Sequence, residues 1–243
     1  MISNCGSDEK GKYYGGKAGD QTGKEWILKS WYNRPWKCVL RYKGNADVNV
    51  MISNLAIQSA KNNNIGYDQW QRATYWKELQ NAEYHPENIK TKCEADCSAG
   101  VMAIVKATGY RLDIPKLKTV SEKLVCRQMR EALKKVGFEV LTESKYLTSE
   151  KYLQAGDILL NDTAHTAIAV GTGKVLVLPS KIEQEKPKKK TDDTYIVQPN
   201  DNLWKIAVLK LGKGSRYREI MELNKLESDI IHVGQVLKIP SKN

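Results

Sequence analysis

The spacing of apolar positions divides this chain into segments of different character. Trp26, Trp31, Tyr32, Trp36, Val39 and Tyr42 read as extended, half-buried chain. From Asp47 to about Ala60, Val50, Met51, Leu55 and Ile57 recur at helical intervals, and Trp70 to Gln80 reads as a second helix. Ala99 to Val105 is apolar enough for a buried helix. Further on, Ile158-Leu159-Leu160 and Ala167 to Val170 read as strands joined by a turn, and Lys174-Val175-Leu176-Val177-Leu178 predicts a third. Between the first residues and Trp26, Gly15-Gly16-x-x-Gly19-Asp20-Gln21-Thr22-Gly23 is turn chemistry, because closely spaced glycines permit positive φ. It is not a phosphate-binding loop, since no Gly-Lys-Ser/Thr follows.

The pattern stops at residues 179–193. That stretch, with a Lys run after Pro187, buries too little apolar surface to order itself and reads as a charged linker. Residues 194–241 then carry a complete pattern of their own. Tyr195-Ile196-Val197 predicts a strand, and Asn200-Asp201-Asn202 offers a helix cap before Leu203, Ile206, Ala207 and Val208. Gly212 and Gly214 break that helix, and Tyr217, Ile220, Met221 and Leu223 repeat at helical spacing. Val236 to Ile239 predicts a last strand, stopped by Pro240. Strand, helix, helix, strand in so few residues makes a small two-layer module without a converging acid, base or nucleophile, which is built to bind.

Composition narrows the class. The 243 residues are 41% hydrophobic and 28% charged, as expected of a globular chain with one mid-sized domain and a module. No apolar run is long enough to cross a bilayer, and the first residues lack a signal peptide's charged and apolar regions. The reading is synthesis in the cytoplasm. The formal charge of +11 is spread along the chain, which suits an acidic partner such as a bacterial wall with anionic polymers better than a nucleic-acid stripe. Five cysteines form an odd set that reads as reduced thiols. Cys93 and Cys97 have no second Cys pair or paired His after them, so no metal or other cofactor is expected. Insertion into membranes is not expected, nor is nucleic-acid binding, and the chain reads as a monomer.

Two segments carry chemistry. Asp96-Cys97-Ser98-Ala99-Gly100 opens the apolar helix with a thiol, where the positive end of the helix dipole favours thiolate. Gly156-Asp157-Ile158-Leu159, followed by the turn to His165, places an imidazole at the start of a strand. A base on a strand facing a nucleophile at a helix start is the arrangement of a Cys–His acyl-transfer site. Cys5, Cys38, Cys93 and Cys126 lack this context and read as ordinary thiols.

Asp96-Cys97-Ser98 before an apolar helix, with Gly-Asp-Ile-Leu and a His-led strand about seventy residues on, resembles the NlpC family of papain-like, CHAP-related cysteine peptidases. That resemblance implies an α+β papain-like domain over residues 1–178 that hydrolyses amide bonds in peptidoglycan, with Cys97 as nucleophile and His165 as general base. It implies substrate or oxyanion contacts from an upstream Tyr, here Tyr67, with Asp96 beside the nucleophile; Asp68 and Gln69 are the alternatives to Tyr67. The polar residue that orients the imidazole is absent from Lys174 to Leu178. Segments that follow the His strand in similar phage-type hydrolases stand here before the Cys helix: Asn4-Cys5-Gly6, then Gly15 to Glu25, then Trp31-Tyr32-Asn33-Arg34-Pro35-Trp36 through Leu40-Arg41-Tyr42. This order implies a circularly permuted domain in which Asn4 takes the orienting position.

The C-terminal segment resembles a LysM module, through Tyr195-x-Val197, Asn200-Asp201-Asn202-Leu203-Trp204-x-Ile206-Ala207, Asn224-x-Leu226 and Gly234-Gln235-x-Leu237-x-Ile239-Pro240. Asn200 departs from the pattern, which usually has Gly before the Asp. The resemblance implies N-acetylglucosamine-containing glycan held between Asn200, Asp201, Asn202 and Leu203 on one side and the loop with Ile230 and Ile231 on the other. Together the two resemblances imply an endolysin-like hydrolase acting on bacterial peptidoglycan after release, through the D-glutamyl to diamino-acid bond. An amidase cutting muramic acid from L-alanine and a non-catalytic wall binder are the alternatives.

Overall fold

A computed structural model describes residues 1–179 and 193–240, the side chain of Asp193 excepted. They form two compact units that divide between residues 181 and 182. Most of the expected linker therefore lies outside the described residues.

The first unit is built on a six-stranded sheet. Its strands are β1 (Ile2–Cys5), β2 (Trp26–Lys29), β3 (Cys38–Tyr42), β6 (Phe138–Leu141), β7 (Ile158–Asn161) and β8 (His165–Ala169), in the spatial order β2-β1-β8-β7-β3-β6 with antiparallel neighbours. Side chains alternate between two cores. Cys5, Cys38, Leu40, Ile158, Leu160 and Ile168 join the larger, with the helices α1 (Ala46–Ala60) and α3 (Cys97–Arg111); Ile2, Val39, Leu159, Ala167 and Ala169 join the smaller, with Trp36. Both helices are capped by side chains. Asn45 accepts from the Asp47 N–H, and Asp96 accepts from the Ala99 N–H at 2.7 Å.

A short parallel pair, β4 (Ile65–Tyr67) and β5 (Cys93–Ala95), runs beside this sheet. Each strand ends where the chemistry starts: β4 delivers Asp68, Gln69 and Trp70, and β5 delivers Asp96 and Cys97. The remaining helices are α2 (Thr74–Asn81), α4 (Pro115–Lys118), α5 (Cys126–Lys135) and α6 (Ser144–Leu147).

Three motif residues prove structural. Gly156 has φ +91°, and a Cβ there would fall 2.1 Å from the Asn49 carbonyl oxygen, so no other residue fits. Fully buried Asp157 takes a bidentate ion pair from Arg41, at 2.7 Å to each oxygen. Asp20 accepts from the backbone N–H groups of Thr22, Gly23, Lys24 and Glu25, so its loop is a carboxylate-stapled turn.

Two expectations are corrected. Lys174 to Leu178 is not a strand: the place beside β8 is occupied by β1, and this segment instead leaves Val175 and Val177 exposed while Asn54 binds the Leu176 backbone. The second helix begins at Thr74, not Trp70, because Asp68 Oδ1 accepts from the Trp70 and Gln71 N–H groups and holds them in a turn.

The second unit pairs β9 (Asp193–Ile196) antiparallel with β10 (Val236–Ile239) and packs them against α7 (Leu203–Leu211) and α8 (Tyr217–Leu223). Val197, Leu203, Ile206, Ala207, Leu211, Ile220, Leu237 and Ile239 are its core. The Asn224 amide bonds both backbone groups of Lys238, tying α8 to β10.

Candidate active site

Cys97 is the first residue of α3. Asp96, just before it, has both carboxylate oxygens engaged: Oδ1 accepts from the Ala99 N–H and the Ser98 hydroxyl, and Oδ2 lies 2.9 Å from Arg72 Nε. Arg72 also donates to Ser98 Oγ at 3.0 Å and to the Leu124 carbonyl at 2.7 Å. Asp96 and Arg72 therefore fix the turn that aims the thiol. Asp96 is buried, and these donors occupy its carboxylate.

His165 begins β8 and is buried. Its Nε2 lies 2.8 Å from Asn4 Oδ1. An amide oxygen only accepts, so Nε2 is the donor in this bond. Asn4 Oδ1 also accepts from the Tyr32 hydroxyl at 3.1 Å, which fixes the amide's orientation. The strand register explains the meeting: Ser3 pairs with Ile168 and Ile2 with Ala169, which runs Asn4 toward the His end of β8. Trp36 stacks on the imidazole with centroids 6.2 Å apart and planes 29° apart. Gly6 leaves the amide room, since a Cβ there would sit 2.8 Å from Asn4 Nδ2.

The two thiols at this place titrate together. Cys97 Sγ lies 3.9 Å from Cys126 Sγ. The Cys126 hydrogen bond and burial raise the Cys97 thiol well above the ordinary range while His165 pulls it back down, and the same sulfur–sulfur hydrogen bond lowers Cys126. Once one proton leaves, the pair holds a single negative charge. Cys126, grouped by sequence with the ordinary thiols, is thus part of the site; Cys5, Cys38 and Cys93 are buried and unreactive, with Cys38 pushed up to about 11 and Cys93 to about 12 by burial.

A cleft of about 650 Å³ opens onto Cys97. Gln69 and Trp70 line it from the end of β4, and Cys126 and Arg127 from the start of α5; Asp162 lines it from the turn before His165. Asp162 pairs with Arg130, and that ion pair braces the turn. Gln69 Nε2 donates to the Tyr67 hydroxyl at 3.2 Å. Tyr67 itself is buried, which with the nearby Cys97 raises its hydroxyl pKa, so it stays a neutral donor and acceptor behind Gln69. Trp70 is 75% exposed and stacks on Tyr14 at 4.5 Å. Among the described residues, no group of three or more His, Cys, Asp or Glu is placed to hold a metal ion.

In the second unit, Asn202 caps α7 through the Lys205 N–H, and Asp201 accepts from the Tyr195 hydroxyl and the Gln198 N–H. Asn200 has φ +70°, which accounts for the Gly usually found there; Asn is among the few residues that tolerate this conformation. Leu203 is 1% exposed, so its side chain belongs to the core and not to a ligand surface. Ile230 is exposed, and Ile231 is half-buried against the core.

Comparison with known families matches an endolysin-like domain to residues 2–176 and a LysM domain to residues 195–240. No curated protein and no solved structure matches the chain.

Proposed function

The chain belongs to the endolysin-like domain family, and from that premise we propose that its first unit is a Cys–His peptidoglycan hydrolase which its LysM domain holds on the wall. The observation that carries the reading is the His165 imidazole between Asn4 and Cys97: its Nε2 is held at 2.8 Å by the amide oxygen, and the ring also hydrogen-bonds the thiol at the start of α3. Asn4 sets the tautomer that leaves Nδ1 free to take the Cys97 proton. The thiolate attacks the amide carbonyl, and His165 returns the proton to the leaving amine. Water, deprotonated by the same imidazole, then hydrolyses the thioester. Asp96 takes the Ala99 and Gly100 N–H groups, which leaves those of Cys97 and Ser98, with the Gln69 amide, as donors for the oxyanion. Tyr67 backs Gln69.

A permuted papain-like fold accounts for the order of these residues. Asn4 precedes Cys97 and His165 in the chain, yet its strand lies directly beside β8, where an orienting residue is needed. The assignment of residues 1–178 as catalytic domain, 179–193 as linker and 194–241 as glycan-binding module belongs to the same proposal. So does glycan contact through Asn200, Asp201, Asn202, Ile230 and Ile231. The scissile bond we propose is D-glutamyl to diamino acid.

The test is digestion of purified peptidoglycan with the wild type and with Cys97→Ala, followed by mass spectrometry of the new termini. A new diamino-acid N-terminus, absent with Cys97→Ala, is the expected outcome. Freed L-alanine N-termini would make the chain an amidase. Binding without cleavage on several peptidoglycan types would leave a wall binder.

A further inference from the structure

Hydrolysis gives one cleft residue no task. Cys126 opens α5 as Cys97 opens α3, so two helix N-termini each present a thiol to the same cleft. The sulfurs are in van der Waals contact at 3.9 Å. Cys126 is only partly buried, whereas Cys5, Cys38 and Cys93 are closed off from solvent. The sulfur–sulfur hydrogen bond lowers Cys126 while it raises Cys97, so the pair holds one negative charge between two sulfurs at the cleft.

We propose that Cys97 and Cys126 form a reversible oxidation site, at which a hydroperoxide closes a disulfide and blocks the nucleophile. The Cys97 thiolate attacks the peroxide oxygen, the O–O bond breaks, and an alcohol or water leaves after taking up a proton. Cys97 becomes the sulfenic acid. The Cys126 thiolate then attacks that sulfur, the S–O bond breaks, and the hydroxide leaves as water. Two thiols lose two electrons and the peroxide gains them. Closure needs side-chain rotation that brings the sulfurs from 3.9 Å to about 2.05 Å. The disulfide also protects Cys97 from over-oxidation, because a sulfenic acid in contact with a second thiol condenses before further peroxide reaches it. The chemistry of the pair is independent of the substrate; its inhibitory effect rests on Cys97 being the nucleophile.

The full-length folded protein is treated with a several-fold molar excess of hydrogen peroxide, since one equivalent makes a sulfenic acid and a second the sulfinic acid; free thiols are alkylated, and a tryptic digest is analysed by mass spectrometry. The expected product is a linked pair, the peptide of residues 93–106 joined through Cys97 to that of residues 124–127 through Cys126, with the other three cysteines alkylated. Dithiothreitol restores both thiols and with them at least nine-tenths of peptidoglycan cleavage. In Cys126→Ser, the same treatment carries Cys97 to sulfinic acid, and dithiothreitol restores nothing. Wild-type Cys97 found as sulfinic acid without the link, or linked to Cys5, overturns the proposal. A link formed in a protein whose reduced form cleaves no peptidoglycan keeps the oxidation site and removes the hydrolase reading. Cleavage with no link does the reverse.

Discussion

At the scale of the residue, the site depends on what holds the imidazole. Asn4 Oδ1 serves His165 and Tyr32 together, and Gly6 is small because the amide needs the space. Asn4→Ala should lower kcat by roughly tenfold or more with little change in KM, since the amide touches the base and not the substrate. Gly6→Ala, which pushes on Asn4 Nδ2, should produce a smaller loss of the same kind while the thermal midpoint stays near that of wild type. Turnover of Asn4→Ala within about twofold of wild type on soluble muropeptides would remove the orienting role. Asn4 enters only through the resemblance to a permuted domain, whereas the local motifs around Cys97 and His165 were legible in the sequence. Cys126 was not: Leu124-Val125-Cys126 carries no chemical signature, and only the packing of α5 brings it to Cys97 from 29 residues away. Trp36 was visible as one aromatic among several, with nothing in the sequence to put its ring on His165.

At the scale of the element, the short parallel pair β4–β5 brings Gln69 and Trp70 to one cleft with Asp96 and Cys97, and buried carboxylates brace it. Glu25 Oε2 accepts from the Tyr67 N–H and Glu94 Oε1 from the Gly19 N–H, while Glu94 Oε2 has no partner. Gly66 lies between them, since a Cβ there would be 2.8 Å from each Oε2. Burial, with the charges of Glu25, Asp68 and Glu9 adding to it, pushes Glu94 up to about 8, and burial raises Glu25 as well. A folded-state value above the unfolded one means that the native state binds the extra proton. Stability from this group is full below about pH 4.5 and is lost as pH rises through about 8. Glu94→Gln keeps an acceptor for Gly19 and places a donor toward Glu25. Its thermal midpoint should match wild type near pH 5 and exceed it by several degrees at pH 9. A difference that does not change with pH would show that Glu94 is not protonated in the folded protein. Three-residue strands are too short for an apolar period, so β4 and β5 left no trace in the sequence pattern. The helix starts later than its apolar spacing predicts for a related reason: the spacing continues through Trp70, but the Asp68 carboxylate takes the Trp70 and Gln71 N–H groups first. The longer elements α1 and α3, with full periods and side-chain caps, were legible throughout.

At the scale of the whole molecule, two attractions to the wall differ in physical kind. The LysM domain is the peptidoglycan-binding part, and contacts between neutral groups are not screened by salt as charges are. The +11 charge acts on anything anionic nearby, over a Debye length of about 10 Å at 0.1 M salt. The two separate in one sedimentation experiment with Cys97→Ala, which removes the proposed nucleophile so that walls are bound without being digested. Intact walls and walls stripped of anionic polymers are each mixed with this protein while sodium chloride rises from about 0.05 to about 0.5 M, a range that shortens the Debye length about threefold. Binding to intact walls should weaken steeply, and binding to stripped walls should start lower and stay nearly level. Equal weakening on both would assign the salt-sensitive part to peptidoglycan itself, whose stem peptides also carry carboxylates. A level response on both would mean that the excess charge has no part in finding the wall, and that the glycan-binding unit alone accounts for it.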